Sequence, residues 1–421
     1  MRYVVIGNGI AGVHALETIR KLDPNGSITL VAGETFPPYC RPMISLVLDG
    51  SLTEEDLPVR GPDFYEALGV EAFVGEHVVD LDAERRVLTT DRNRNILFDR
   101  LLIASGANPR RIKAQGLELG RIFFMRNQMH VRDMIASLDG VEEALVLGGG
   151  LVGFKAAYSL MKRGVRVTML IRSGYPLSMQ VDAHAGSMIL DELVKNGLTV
   201  RVGAEVIAFE GNGFVRAAHL EDGSTISCGM VVIGKGVRPA TSFLRTQQIA
   251  VDLGVLVDER LQTSVPGIFA AGDVAEHYDV ARKSRWVNAI WPVAVEQGRV
   301  AGMNMAGRDV SYKGSLSRNV IRIFDLDVLT GGLVNPPDDS YLVLTRMDPR
   351  RRTYRKLVFR DGRLVGLVMV NEIEQGGVLL SLIHGGHTLP IEGEAVLEPS
   401  FNVARLFPHQ RGFLQARRTG K

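Results

Sequence analysis

The chain has few cysteines, little excess charge and no long apolar run, and each of these absences excludes a class of protein. Its 421 residues include only two cysteines, Cys40 and Cys228, far apart in the sequence, so a disulfide framework is excluded. Lys and Arg (49) nearly balance Asp and Glu (47), and this balance indicates neither a nucleic-acid nor a membrane partner. No apolar run approaches the roughly 20 residues of a membrane-spanning helix.

We expect no signal peptide at the start of this sequence. Met1 and Arg2 are followed directly by the apolar segment 3–6, without the basic and apolar regions that precede a cleavage site. Two distant cysteines fit a reducing compartment. We therefore expect a cytoplasmic protein without a membrane span, and the length predicts two or three domains.

Two G-x-G-x-x-G fingerprints, at 7–12 and 148–153, each follow a short apolar run. A strand, this turn and a helix place backbone N–H groups and a helix N-terminus against a pyrophosphate, and glycine permits the tight turn and the close approach of the phosphate. Two such cradles predict two dinucleotides, a flavin and a nicotinamide that exchange hydride. The residues assigned to the cradles are Gly7, Gly9, Ala11 and Gly12 in the first, and Gly148, Gly150, Leu151, Val152 and Gly153 in the second.

Hydrophobic periodicity predicts that the two fingerprints belong to duplicated βαβ units. The elements predicted in the first unit are strand 3–6, helix 10–21, strand 27–32, an antiparallel meander around 77–81 and 86–90, and strand 101–104. Those in the second are strand 144–147, helix 152–162, strand 166–171 and helix 183–196. Segments 102–109 and 231–239 repeat the same order of an apolar strand, a glycine turn and a proline.

Beyond Tyr312 the pattern changes to that of a small α+β domain. The elements predicted there are strands at 320–324, 327–331, 341–345, 356–360 and 364–370, and a helix near 377–383. From Glu398 to Lys421 the periodicity is lost and the sequence becomes basic, which predicts an extended tail.

The two fingerprints and the segment 263–273, which ends in Gly272 and Asp273, together resemble the FAD-dependent pyridine nucleotide–disulfide oxidoreductase superfamily over roughly residues 1–310. Segments 37–42 and 291–298 resemble more particularly the branch of NADH-dependent nitrite reductase large subunits and rubredoxin reductases. The size and the short third domain are similar to the NAD-linked flavin subunits of anaerobic complexes, such as phenylglyoxylate dehydrogenase and the tungsten aldehyde oxidoreductases.

The resemblance implies an α/β fold with two Rossmann-like domains, as in glutathione reductase, and a small α+β C-terminal domain. We expect a discontinuous FAD-binding domain at 1–112 and 241–311, an NAD(P)-binding domain at 113–240, and an α+β interface domain with a basic tail at 312–421. The further residues that we assign to cofactor binding are Ala104, Ser105, Gly106 and Gly272 for FAD and Gly234 for the nicotinamide.

Two acids and an Arg-Pro pair receive flavin-binding roles from the resemblance. Glu34 lies 22 residues after Gly12, where an acid accepts hydrogen bonds from the adenosine ribose, and Asp273 would hold the ribityl chain. Arg41 and Pro42 would lie along the flavin, with Arg41 near the pyrophosphate. The alternatives are a solvated loop carboxylate at Glu34 and a solvated loop arginine at Arg41.

Trp291 and Pro292 open a predicted helix, because proline favours the first turn. In the family, the positive end of this helix points at the pyrimidine edge of the flavin and stabilises negative charge there by about 0.3–1 kcal/mol. Trp291 either covers the flavin ring or is a core aromatic residue.

The sequence departs from the superfamily at its redox-active cysteines and at a flavin-site lysine. Disulfide reductases of this superfamily relay electrons through two cysteines four residues apart or through one cysteine beside the flavin. Cys40 is the only candidate for such a redox cysteine, and the neighbouring Arg41 could lower the pKa of its thiol. The alternative is a small apolar loop residue. In many relatives a lysine follows the Arg-Pro pair and a glutamate lies on the second fingerprint helix, whereas here these positions are Leu46 and Lys155. Lys155 is either a source of positive charge at the flavin or a helix-surface lysine.

The strand that should end in an acid for NAD ends instead in Arg172 and Ser173. The resemblance favours NAD(H), and NADP(H) stays open because no carboxylate repels a 2′-phosphate. Arg172 otherwise stacks on adenine or lies in water. His384 and His387 lack companion ligands, so we expect no metal site.

Two basic runs, residues 350–356 and the tail, are either solvated or a docking surface for an acidic iron–sulfur protein. The tail residues concerned are Arg411, Arg417, Arg418 and Lys421. Neither run has the interleaved aromatic residues that stack on bases, so we expect no nucleic-acid partner.

The sequence therefore predicts an FAD-dependent NAD(P)H:acceptor oxidoreductase that moves electrons between a nicotinamide and an iron–sulfur protein or cluster, as part of a larger complex. One alternative is an NADH oxidase or a coenzyme A- or sulfur-disulfide reductase that uses Cys40. The other is a flavin-binding structural or redox-sensing subunit without turnover.

Overall fold

The structure, a computed structural model, describes residues 1–389, 393–398 and 400–402. The four basic tail residues named above lie outside these described residues. Within the described part of the chain, no helix combines the length and the apolar character needed to cross a membrane. The described residues divide into two compact units.

The first unit, residues 1–176, 197–278 and 285–315, contains two five-stranded parallel sheets with the same internal order. The strands of the first sheet, from edge to edge, are Ile268–Ala270, Arg100–Ile103, Arg2–Ile6, Ser27–Ala32 and Val70–Val74. Those of the second are Ile122–Phe124, Met230–Ile233, Glu143–Leu147, Arg166–Ile171 and Thr199–Val202. In each sheet the strand before a glycine fingerprint lies at the centre, which confirms the predicted duplication.

Helices pack beside these sheets because the strands are apolar on both faces, as is typical of parallel sheets. The helices of the first unit are Ile10–Leu22, Ile44–Leu48, Phe64–Ala67, Gln128–Ala136, Leu151–Lys162 and Trp291–Met305. The predicted helices at 10–21 and 152–162 and the helix that opens at Trp291 are confirmed. A Cβ at Gly298 would overlap the backbone of Ala11, so glycine lets the first and last of these helices approach closely.

Short antiparallel strands complete the duplication. Each of the two halves of the first unit, the one with the first glycine fingerprint and the one with the second, carries a three-stranded antiparallel meander. The meander of the first half was predicted. The meander strands are Val78–Asp82, Val87–Thr90 and Asn95–Leu97 in one half, and Val206–Asn212, Phe214–Leu220 and Thr225–Ser227 in the other. The two proline-containing segments also pair with each other, since Ala107–Pro109 runs antiparallel to Val237–Pro239. The remaining strands and 3-10 turns before residue 300 are Val255–Leu256, Ala275–Asp279, Ser284–Trp286, Arg41–Met43 and Glu54–Asp56.

The second unit, residues 177–196, 279–284 and those from 316 onward, contains a five-stranded antiparallel sheet. Its strands, from edge to edge, are Arg318–Ile323, Leu326–Gly332, Arg363–Val370, Thr353–Arg360 and Leu342–Asp348. Its helical segments are Ala183–Lys195, Gly376–Gly385 and the 3-10 turn Gly393–Leu397. All five strands and the helix predicted near 377–383 are confirmed.

Both faces of this antiparallel sheet are covered at its middle, because the adjacent strands Arg363–Val370 and Thr353–Arg360 are each buried over nearly their whole length. Leu357 and Phe359 join the apolar cluster that includes the helix Gly376–Gly385. The alternate residues point to the other face, where Tyr354 bonds to the residue that caps the helix Ala183–Lys195. That helix follows the second βαβ unit in sequence but belongs to the second compact unit. The three-domain boundaries stay a prediction.

Candidate functional site

The first glycine cradle uses its glycines for two different purposes. A Cβ at Gly7 would overlap the carbonyl oxygen of Ala104, and a Cβ at Gly12 would overlap that of Gly7. A Cβ at Gly9 would meet no atom within 4 Å. The outer glycines therefore let backbone segments touch, whereas the middle glycine faces open space.

The second cradle repeats this arrangement. A Cβ at Gly148 would lie 2.5 Å from the carbonyl oxygen of Gly234, and a Cβ at Gly153 would overlap that of Gly148. Gly150 again faces open space. Neither helix has a side-chain cap, so the first N–H groups of each helix, at Ala11 and Gly12 and at Leu151 and Val152, stay available to an anion. Both cradles fit a dinucleotide pyrophosphate.

Two glycine turns border the first cradle. Gly106 has φ +71° and Gly272 has φ +80°, values that favour glycine. Ser105, before the first turn, donates from Oγ to the carbonyl of Ala240 at 2.8 Å. The amide of Gly272 donates to Oε1 of the buried Gln297 at 2.8 Å, which ties Asp273 to the helix Trp291–Met305.

The predicted ribose acid is held by two side chains of the Arg-Pro loop. Arg41 donates from Nη2 to Glu34 Oε1 at 2.6 Å, and the hydroxyl of Tyr39 donates to Oε2 at 2.7 Å. The Arg41 guanidinium also stacks 4.9 Å from the centre of the Tyr39 ring. Burial raises the pKa of Tyr39, so its hydroxyl stays a donor. The carboxylate keeps free lone pairs for ribose hydroxyls.

Arg126, which the sequence analysis did not single out, lies in contact with two of the predicted flavin-binding residues. It donates from Nη2 to Oδ2 of Asp273 at 2.8 Å and from Nε to the carbonyl of Ala107 at 2.9 Å. Its own carbonyl accepts a bond from Arg41 Nη1 at 2.9 Å. Arg126 therefore connects the two charged residues that were assigned separately to the flavin pyrophosphate and ribityl chain.

The two catalytic candidates, Lys155 and Cys40, lie close enough to interact electrostatically. Lys155 donates from Nζ to the carbonyl of Pro42 at 3.0 Å, so the second fingerprint helix contacts the Arg-Pro turn. Burial lowers the pKa of Lys155. Burial also raises the pKa of the Cys40 thiol above its ordinary value, although Lys155 opposes this. Cys40 is therefore held as a neutral thiol.

The remaining predicted residues occupy varied surroundings. Trp291 is half-buried and Pro292 exposed at the start of their helix, and their contact with flavin stays a prediction. Leu46 is 37% exposed. Cys228 is buried in the core of the second half, where burial raises its pKa to about 12. Among the described residues there is no group of three metal-ligating side chains, including around His384.

The basic run at 350–356 is not one solvated surface. Arg352 forms an ion pair with the buried carboxylate of Glu192. Lys356 is 7% exposed and lies 3.0 Å from Asp182 Oδ2, and Arg355 is buried as well. Charge density alone does not distinguish such internal pairs from an exposed patch, and only Arg350 and Arg351 of this run are exposed.

Arg172 lies at the carboxyl end of its strand with its side chain 80% exposed. Its Nε is 3.4 Å from Oε2 of Glu205. The other oxygen of Glu205 accepts a bond from Lys235 Nζ at 3.0 Å. The sequence analysis did not single out either Glu205 or Lys235.

Two protein-family models match this chain, one over the two glycine cradles and one over the C-terminal sheet. The family model described as pyridine nucleotide-disulphide oxidoreductase matches residues 1–298. The model described as the rubredoxin NAD+ reductase C-terminal domain matches residues 318–387.

Individual proteins support the same grouping. The chain is similar to the epsilon subunit of NADH-dependent phenylglyoxylate dehydrogenase from Aromatoleum evansii, at 30% identity over 91% of each chain. It is similar to NADH-rubredoxin oxidoreductase from Clostridium acetobutylicum, at 24% identity over 91% of this chain and 94% of that protein. The structure of the covalent putidaredoxin reductase–putidaredoxin complex contains a chain with the same fold, with a TM-score of 0.86, 22% identity and coverage of 100% and 99%.

Other relatives are longer than this chain. It spans about half the length of two curated relatives from Bacillus subtilis, a nitrite reductase (47%) and an assimilatory nitrate reductase electron transfer subunit (51%). The predicted fold, the two dinucleotide cofactors and the branch are confirmed by these matches. The chain belongs to the pyridine nucleotide-disulphide oxidoreductase family, in the FAD- and NAD(H)-dependent branch that includes the nitrite and rubredoxin reductases.

Proposed function

We propose that this protein is an FAD-dependent NAD(P)H:acceptor oxidoreductase that moves electrons between a nicotinamide and an iron–sulfur protein or cluster, as the electron-transfer subunit of a larger complex. The FAD, when bound, supplies the ability to take up hydride and to hand electrons on one at a time. The chain's own residues bind the two nucleotides, orient them and set the charge around them.

The observation that carries the proposal is a pair of dinucleotide cradles without a pair of cysteines. Cys40 lies beside the Arg-Pro turn, and Cys228 lies buried in a separate apolar cluster. Since these are the only two cysteines, an internal dithiol relay is not available. Electrons that arrive from the nicotinamide must therefore leave to an acceptor outside this chain.

We assign the cradle glycines, Glu34, Arg41 and Asp273 to the FAD, with Arg126 as an additional anchor. Asp273 is held by its ion pair with Arg126, and Gly272 before it lies against Ala11 of the first cradle. Lys155 would add positive charge between the two nucleotide sites, since its helix begins at the second cradle and its amine bonds to Pro42.

The names of relatives agree with an external acceptor. One relative is a subunit of a NADH-dependent dehydrogenase, and another is a NADH-rubredoxin oxidoreductase; rubredoxin is an iron–sulfur protein. For the location in the cell we propose the cytoplasm, on the basis of the two free cysteines, because disulfides are rare in that reducing compartment.

The Cys40 alternative makes a different demand on the site. A cysteine that attacks a disulfide must be a thiolate near neutral pH, whereas burial raises the pKa of Cys40. The partial burial of the Cys40 thiol therefore favours electron transfer over thiol chemistry. An NADH oxidase without thiol chemistry shares the same cradles and differs only in its acceptor.

The test is an anaerobic stopped-flow experiment on the purified holoprotein. Flavin bleaching by NADH or NADPH is followed first, and the reduced protein is then mixed with oxidised rubredoxin, [2Fe–2S] ferredoxin, coenzyme A disulfide or O2. We expect the iron–sulfur proteins to reoxidise the flavin fastest, and Cys40→Ser to leave that rate unchanged.

Fastest reoxidation by coenzyme A disulfide, lost in Cys40→Ser, would establish the reductase alternative instead. Fastest reoxidation by O2 would establish an NADH oxidase. A flavin that neither nucleotide bleaches would identify a subunit without turnover. Mild anaerobic purification from the native host adds an independent check, since an isolated homodimer without an iron–sulfur protein would contradict the complex.

A further inference from the structure

Three charged residues, Arg172, Glu205 and Lys235, lie at the carboxyl edge of the second parallel sheet. Each follows a different strand of that sheet. Nucleotides bind at this edge in open parallel sheets. The position alone therefore places the three side chains on the nicotinamide dinucleotide side.

The cluster also adjoins the second glycine cradle through the backbone. Lys235 directly follows Gly234, and its amide nitrogen would lie 3.4 Å from a Cβ at Gly148. The amide of Gly203, two residues before Glu205, donates to the carbonyl of Ile171 at 2.7 Å, which joins the two strand ends. The chain segments that carry the three side chains therefore lie next to one another at the edge of the sheet where the second glycine cradle begins.

Lys235 and Arg172 differ in exposure and in their distance from Glu205. Lys235 is 19% exposed and bonds Glu205 at 3.0 Å. Arg172 is 80% exposed and lies 3.4 Å from the other carboxylate oxygen. A solvent-exposed ion pair contributes little to stability, so the contact of Arg172 with Glu205 is the weaker of the two and the less exposed Lys235–Glu205 pair is the firmer.

We infer that this cluster lets the second cradle accept both NADH and NADPH. Glu205, delivered from the neighbouring strand, accepts the ribose hydroxyls of NADH in place of the missing strand-end acid. Arg172 turns from Glu205 to the 2′-phosphate of NADPH. This inference rests on the part of the proposed function that assigns the second cradle to a nicotinamide dinucleotide.

The charge balance explains why one site serves both nucleotides. An isolated carboxylate repels a 2′-phosphate and so selects NAD. Here two cations flank one carboxylate, which leaves the cluster with net positive charge. Lys235 neutralises Glu205 when Arg172 leaves it, and the fork of the arginine binds phosphate oxygens in pairs.

Two nucleotide fragments and three variants test this inference. Adenosine 2′,5′-bisphosphate carries the 2′-phosphate, and 5′-AMP carries the free ribose hydroxyls. Their dissociation constants are measured by titration calorimetry on the oxidised holoprotein. The variants are Arg172→Ala, Glu205→Gln and the control Arg201→Ala, which removes an arginine of the same sheet that pairs instead with Asp222.

We expect the wild-type protein to bind both fragments with dissociation constants within about tenfold of each other. Arg172→Ala should weaken the bisphosphate by about tenfold or more, the equivalent of one charge-assisted hydrogen bond, and leave 5′-AMP nearly unchanged. Glu205→Gln should weaken 5′-AMP and leave the bisphosphate bound as well or better. Arg201→Ala should change neither.

The inference is overturned if the wild-type protein binds only one fragment, or if Arg172→Ala and Glu205→Gln each weaken both fragments equally. The proposed function fails in a different experiment. A protein whose flavin is bleached by NADH and NADPH but reduces no iron–sulfur acceptor would contradict the electron-transfer role and leave this inference standing. Conversely, if the protein reduces an iron–sulfur acceptor but Arg172→Ala and Glu205→Gln each weaken both fragments equally, the electron-transfer role stands and this inference is overturned.

Discussion

Replacing Gly9 by alanine is expected to weaken FAD binding while leaving the protein folded. The backbone at Gly9, φ −66° and ψ 174°, suits any residue, and a Cβ there meets no atom within 4 Å. The same Cβ would project into the space where the pyrophosphate approaches the helix. Gly12→Ala is the matched comparison, because its Cβ would overlap the carbonyl oxygen of Gly7.

The two substitutions should change different quantities. Alanine at Gly9 restricts the unfolded chain and should raise the free energy of unfolding of the apoprotein by about 0.4–1 kcal/mol. Each charge-assisted bond lost by a displaced pyrophosphate costs about 1.5–3 kcal/mol, so the dissociation constant for FAD should rise at least tenfold. Alanine at Gly12 should instead lower the free energy of unfolding of the apoprotein by about 1–3 kcal/mol or more, because the backbone must move apart.

Urea unfolding of the apoproteins, followed by circular dichroism, measures the first quantity. Quenching of free FAD fluorescence by added apoprotein measures the second. The reasoning is refuted if Gly9→Ala binds FAD as tightly as the wild-type protein, or if its apoprotein is destabilised as much as Gly12→Ala. Gly150→Ala should behave like Gly9→Ala toward NADH, since the second cradle has the same open middle position.

Three further predictions concern individual side chains. Lys155→Met should lower the midpoint potential of the flavin by roughly 20–30 mV, the equivalent of about 1–1.4 kcal/mol for two electrons, because it removes a positive charge, as measured against a reference dye. Cys40→Ser should keep the rate of ferredoxin reduction by NADH within about twofold in a steady-state assay, because the neutral thiol takes no part. Burial alone would raise the pKa of Asp182, but the hydrogen bonds from Tyr354 and Lys356 outweigh this effect, so the pKa of Asp182 in the folded protein lies below its usual value. The stability that this carboxylate contributes is therefore present above the unfolded pKa of about 3.9 and is lost as the pH falls through the folded value; urea unfolding at several pH values should show this loss in the wild-type protein and less of it in Asp182→Asn.

Each of these predictions has a control and a contrary outcome. Lys162→Met removes a lysine two turns further along the same helix, about 10 Å away, and an equal shift of the potential in both variants would argue against a local effect of Lys155. Loss of ferredoxin reduction in Cys40→Ser would assign the cysteine a direct role. An Asp182→Asn protein with the same acid dependence of unfolding as the wild type would show that other carboxylates dominate.

Much of the fold followed from the sequence because its signals are local. The strand Ser27–Ala32 and the helix that opens at Trp291 have the predicted limits at those positions, since apolar runs, glycine turns and a first-turn proline act over a few residues. The two segments with the repeated glycine–proline pattern even pair with each other. The similarity of the segments predicted their architecture but not this pairing.

The parts that were missed depend on contacts distant in sequence. Arg126 and Asp273 are separated by 147 positions, and neither carries a motif that names the other. The only local signal near Arg126 is Asn127, whose side chain caps the next helix by accepting from the amide of His130. That signal predicts where a helix begins but not which partner the preceding arginine finds. The charges of Arg355 and Lys356 likewise predicted exposure, because their partners, Gln375 and Asp182, lie outside the run in sequence.

The helix Ala183–Lys195 lies in sequence between two strands of the second parallel sheet, but it belongs to the compact unit of the antiparallel sheet. Its buried residues Ala185, Ile189 and Leu193 recur every four positions, and its cap Asp182 bonds to Tyr354 and Lys356. A chain ending at residue 315 would keep this helix but remove Tyr354 and Lys356, the partners of its cap, and Arg352, the partner of its buried Glu192. The C-terminal sheet is therefore not a detachable appendage, and a chimera that exchanges it with a relative should exchange this helix as well.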